Sequence, residues 1–148
     1  MRLFGAIDAA ASGLTAERLR MDVISNNIAN VNTTRTAEGG PYRRQMLVFA
    51  PRTQENSFAG MLSRQMGKNS EVGEGVRVVE IKKDDALPRK VYDPRHPDAN
   101  ADGYVDMPNI SVVTEMVDMI TASRAYEANV TSVNTAKSMA LKALEIGR

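Results

Sequence analysis

At 148 residues the chain suits one domain, or one small domain with appendages, and its 19 basic against 18 acidic side chains leave a net charge of +1. That balance removes a long-range electrostatic case for nucleic acid or an anionic membrane as partner. Cysteine is absent, which excludes disulfides and thiolate metal sites, and aromatic residues make up only 5%, so the central core is expected to be thin.

The first residues, Met1 to Asp8, carry one positive charge and a short apolar run, which fails as a cleaved secretory signal. No run reaches transmembrane length. Ile7, Leu14, Met21 and Ile28 then recur every seventh residue, with Leu3, Ala10, Ile24 and Val31 as a companion row broken only at Glu17. This predicts a helix of roughly 30 residues, about 45 Å long. Arg18 and Arg20 are offset by Glu17 and Asp22, the wrong pattern for a basic helix lying on a membrane. The helix should fade between Asn26-Asn27 and Asn32-Thr33-Thr34, where side chains compete for the backbone.

A loop over Arg35 to Gly40 leads into a strand within Tyr42 to Ala50, with Arg43 and Arg44 at its start and Pro51 as its stop. Residues 54–75 are polar and glycine-rich, the pattern of a flexible or binding loop. Val76, Val78 and Ile81 alternate with polar neighbours as a second strand, Val91-Tyr92 suggest a third, and a sheet of two to four strands is expected. Asp93-Pro94-Arg95-His96-Pro97 should be stiff and extended.

Pro108 and then Asn109 or Ser111 as N-cap open a last helix that Gly147 should close. Along it Val112, Met119, Tyr126, Val133 and Ala140 form a heptad row, with Met116, Val130 and Leu144 as a second row interrupted by Ser123 and Lys137. Thr114, Thr121, Asn129, Thr131, Ser132, Asn134 and Thr135 are poor helix formers, so this helix needs a partner surface. The expected fold is α+β: residues 1–34 and 109–148 as long terminal helices pairing in a coiled-coil-like layer, and 35–108 as a β-rich middle segment.

Little in the chain carries chemistry. Asp98, Asn100, Asp102 and Gly103 match the first half of a calcium loop, but Asn109 stands where the bidentate Glu belongs, so a turn is the better account. His96 is the only histidine and, with no cysteine, has no second nitrogen or sulfur ligand for zinc. Asp84-Asp85 and Asp102/Asp106 would make an acid–base pair only if folding joined them in a cleft. The basic run Lys82, Lys83, Arg89, Lys90 and Arg95 is interleaved with Asp84, Asp85 and Asp93 and reads as a solvated face. No enzyme, cofactor, metal or small-molecule substrate is therefore expected.

Two stretches carry a family resemblance. Ser25-Asn26-Asn27-Ile28-Ala29-Asn30-Val31-Asn32-Thr33-Thr34 resembles the amino-terminal signature of bacterial flagellar rod and hook proteins. Gly103 to Ile110, Glu115 to Ile120 and Ala122-Ser123-Arg124-Ala125-Tyr126-Glu127-Ala128-Asn129-Val130 resemble their carboxy-terminal one. Thr33-Thr34-Arg35-Thr36, Gly39 to Arg44, Tyr92-Asp93-Pro94 and His96-Pro97 are similar to the proximal rod members in particular.

The resemblance implies a structural subunit of the flagellar basal-body rod, exported by the flagellar type III apparatus without a cleaved signal. Such subunits polymerise with other rod proteins and with copies of themselves into a hollow shaft that crosses the envelope and carries torque. Terminal helices would form its inner layer, ordering as they join. Ile7, Leu14, Met21, Ile28, Val112, Met119, Tyr126 and Val133 would be the interface knobs. Asn27, Asn30 and Asn32 would fix the exit of the first helix, Pro108 and Asn109 belong to the second signature, and Arg124 with Glu127 would make polar contacts between subunits. A self-contained α/β interaction module, its terminal helices paired only within the chain, is the alternative; a calcium-dependent protein built on the Asp98 loop is another.

Overall fold

The structure, a computed structural model, describes residues 3–52 and 75–146. Two long helices flank the strands: α1 (Leu3–Ala29), β1 (Gln45–Pro51), β2 (Val76–Lys83), β3 (Arg89–Tyr92), β4 (Tyr104–Met107) and α2 (Val112–Ile146). This is an α+β chain with small antiparallel sheets between its terminal helices. The loop expected over 54–75 lies, apart from Gly75, outside the described residues, as does Gly147.

The strands form two separate two-stranded sheets, β1 with β2 and β3 with β4, where a single sheet was expected. The reason lies between β2 and β3. Asp84 Oδ1 accepts the Ala86 amide at 3.0 Å, bending the chain away, and Pro88 offers no amide to continue a ladder. β4, which the sequence reading did not assign as a strand, pairs Arg89 with Met107 through Tyr92 with Tyr104, and Val105 at its centre is buried. Tyr92 and Tyr104 meet edge to face at 5.3 Å.

The residues 93–103 that join these strands form a turn closed by Asn100. Its side-chain oxygen accepts the amides of Asp102 and Tyr104 at 3.1 and 2.8 Å. Asp98 Oδ2 accepts the Thr34 hydroxyl, and His96 Nδ1 accepts the Asp98 amide. Polar groups that suggested half a calcium loop thus serve their own backbone and a neighbouring loop.

α1 ends where its asparagines were expected to end it. Asn30 Nδ2 donates to the Asn26 carbonyl at 2.9 Å, and Asn30 Oδ1 accepts the Thr33 hydroxyl at 3.1 Å. The Ser111 hydroxyl accepts the Thr114 amide at the start of α2, making Ser111 its cap, and Glu115 lies in the first turn, where the helix dipole favours an acid. Further along α2, Thr131, Ser132, Thr135 and Ser138 each donate a hydroxyl to the carbonyl four residues back. The poor helix formers are accommodated by bonding within the helix.

The chain packs as two compact units. In one, whose described parts are residues 3–18, 49–52, 75–79 and 124–146, the buried side chains are Ala16 and Ala136. Ser12 Oγ accepts the Val76 amide at 3.0 Å there. Gly75, at φ +109°, sits so close that a Cβ would fall 3.1 Å from the Ala9 Cα. The other unit, Leu19–Val48 with Glu80–Ser123, buries Val23, Ile24, Val105, Ile110 and Ala122 together with Asn27 and Glu115.

Candidate assembly surface

In the second unit a polar cluster joins the end of α1 to the start of α2. Asn27, 1% exposed, uses its whole carboxamide. Nδ2 donates to the Gln45 carbonyl at 2.9 Å and to Glu115 Oε2 at 3.0 Å; Oδ1 accepts the Gln45 amide at 2.9 Å and the Tyr42 hydroxyl at 3.1 Å. Glu115, also 1% exposed, accepts Arg44 Nε on its other oxygen, and Arg44 Nη2 reaches Asp118 Oδ2 at 3.2 Å. Burial, and secondarily the Glu115 charge, push the Tyr42 phenol above its usual value near 10. The Glu115 carboxylate is buried while Arg44 keeps a quarter of its side chain exposed, and with both carboxylate oxygens bonded, removing a partner of Glu115 is costly.

These contacts set the inward faces of the helices. On α2 the most enclosed row is Glu115, Ala122 and Ala136, with half-buried Asn129 at the same seven-residue spacing; Met119, Tyr126, Val133 and Ala140 form a half-buried row beside it. On α1 the enclosed positions are Ala16, Val23, Ile24 and Asn27, while Ile7, Leu14, Met21 and Ile28 are half-buried flanks. In the first unit the helices approach closely at Gly13, where a Cβ would lie 2.9 Å from Asn129 Nδ2.

Of the second row expected on α2, Val130 is half-buried but Met116 (55%) and Leu144 (72%) are exposed, and the most enclosed companion row lies three residues on from the first. That row is small or polar, so apolar counting cannot see it. Around Met116 lies an uncovered apolar face, with Val113 72%, Val117 54% and Ile120 54% exposed and Val112 partly so. Met139 and Leu141 are exposed near the far end of α2. Asn32, Asn109, Arg124 and Glu127 are exposed; Asn30 is half-buried and Pro108 buried. Tyr42, Arg44, Gln45 and Glu115 were not singled out as site residues by sequence; the charge pairing of Arg44 with Glu115 spans 71 positions, beyond any local pattern.

The family model described as "Flagella basal body rod protein" matches residues 7–35, and that described as "Flagellar basal body rod FlgEFG protein C-terminal" matches 101–146. Flagellar basal-body rod protein FlgC of Borreliella burgdorferi is 53% identical over 150 residues, covering 99% of this chain and 98% of the relative. The chain belongs to the FlgC family of flagellar basal-body rod proteins. FlgC of Bacillus subtilis is 47% identical over 152 residues and FlgC of Escherichia coli O6:H1 40% over 148, each covering both chains completely. The two family-model matches contain Asn27 and Glu115 respectively, the two halves of the buried cluster. Tyr42, Arg44 and Gln45 fall between them.

Proposed function

We propose that this FlgC-family chain is a structural, non-catalytic subunit of the proximal rod of the flagellar basal body. It joins other rod proteins and copies of itself through its terminal helices, and the resulting shaft transmits torque across the envelope to the hook and filament. The observation that carries this reading is the uncovered apolar face of α2 from Val112 to Ile120. Such a face on a helix already seated by its opposite side calls for a second helix. Covering each half-exposed Val, Met or Ile contributes about 1 kcal/mol, and a row repeated in every subunit makes the contact stiff.

On this reading residues 1–34 and 109–148 form the rod core and 35–108 the smaller β-rich part. Ile7, Leu14, Met21, Ile28, Val112, Met119, Tyr126 and Val133 serve at the margin of the contact, their remaining exposure closed by neighbours. Arg124 and Glu127, both exposed, bond across it on this reading. The subunit reaches the basal body from the cytoplasm through the flagellar type III export apparatus. A strain whose own copy is replaced by Met116→Asp/Ile120→Asp should make and export the protein yet form no rod and not swim. Normal swimming would refute the assignment of this face.

A further inference from the structure

In the first unit α1 meets α2 at Gly13, which lies against Asn129, and the buried side chains there, Ala16 and Ala136, are small enough to permit close approach in more than one alignment. A slip of one heptad, about 10 Å, would bring Ala136 opposite Gly13 in place of Asn129. What distinguishes the observed alignment is polar. Asn27 and Glu115 are both 1% exposed and bonded to each other at 3.0 Å, and Arg44, delivered by the lead-in to β1, closes on Glu115.

We propose that the Asn27–Glu115–Arg44 cluster sets the register of α2 against α1. A one-heptad slip would place Asn27 against Ala122 and leave the Glu115 carboxylate without its carboxamide partner. Apolar side chains such as Val23 and Ile24 can pack again after a slip, whereas a buried carboxylate needs its specific partners. Arg44 adds a third constraint, because the Gln45 amide and carbonyl hold the Asn27 carboxamide in place beside it. A buried polar group at a seam position fixes alignment in helix pairs at some cost in stability. The register sets where along α1 the outward face of α2 sits, so its value to assembly rests on the rod reading above; the register itself does not, and is measured on the unassembled chain.

The chain is free of cysteine, so two introduced thiols report alignment without background. In full-length protein, Gly13→Cys should cross-link through a short bifunctional thiol reagent to Asn129→Cys at least about tenfold better than to Ala122→Cys or Ala136→Cys. Replacing the cluster by Asn27→Leu/Arg44→Leu/Glu115→Leu should keep the helix signal in circular dichroism while the three yields become comparable. Moving the acid one heptad, with Glu115→Ala/Ala122→Glu, should shift the preferred partner of Gly13→Cys from position 129 to 136. Unchanged preference for position 129 in either variant overturns the proposal. Loss of helix in both would assign the cluster to stability alone and overturn it as well.

Discussion

Asn27→Ala is the sharpest test of how the second unit is held. The substitution removes four hydrogen bonds, to the Gln45 amide and carbonyl, the Tyr42 hydroxyl and the Glu115 carboxylate, in a site 1% exposed. At about 1 kcal/mol for each neutral bond and about 2 for the one to a charge, the loss is about 5 kcal/mol. Water can restore part of it. A cavity of about 190 Å³ lined by Val23, Asn27, Gln45, Glu115 and Asp118 adjoins the site and has room and polar partners for water. The net expectation is about 3 kcal/mol, which at a urea dependence of about 2 kcal/mol per M moves the midpoint down by about 1.5 M. Equilibrium unfolding of the isolated protein, followed by far-ultraviolet circular dichroism, measures it. A shift under about 0.3 M would show that the cluster is not what joins α1 to α2 in this unit.

Other outcomes follow from single contacts. Arg44→Ala removes the guanidinium paired with the buried Glu115 carboxylate and should cost about 3–5 kcal/mol by the same assay. Gly13→Leu should cost about 1–3 kcal/mol by overfilling the approach to Asn129, whereas Gly13→Ala, meeting only the end of a flexible side chain, should stay within about 1 kcal/mol of the native chain. Tyr42 titrates above its usual value, so the fold favours its neutral form: that stability is complete below pH 10 and is lost as pH rises through the raised value. Ultraviolet titration should show the Tyr42 value falling toward 10 in Glu115→Gln. The hydrogen bond and charge of Lys83 hold the exposed Glu38 carboxyl below its usual 4.5, so the link is complete above that pH and lost as pH falls through the depressed value. Carboxyl titration by NMR in Lys83→Ala should return Glu38 to the ordinary range.

Period and turn chemistry made both helices, β1, β2, β3 and the asparagine-rich end of α1 legible, because each rests on neighbours in sequence. The phase of the α2 seam was not. A row of Glu115, Ala122, Asn129 and Ala136 carries no apolar signal, while Met116 and Leu144 carry one and face outward. The division into two sheets depends on an Asx turn at Asp84 and on Pro88, neither of which announces pairing. β4 is four residues long, and only Val105 is fully enclosed, too short an alternation to stand out. Asn27 was singled out by family likeness, yet its partners Tyr42, Gln45 and Glu115 were joined to it only by folding.

Whether the outward face of α2 meets another subunit is read most directly by placing a photo-crosslinking amino acid at Ile120 and irradiating purified basal bodies. Adducts joining this chain to a second rod subunit, absent when the probe replaces buried Ala122, are expected. Adducts confined to the same chain, or none at all, would contradict the account.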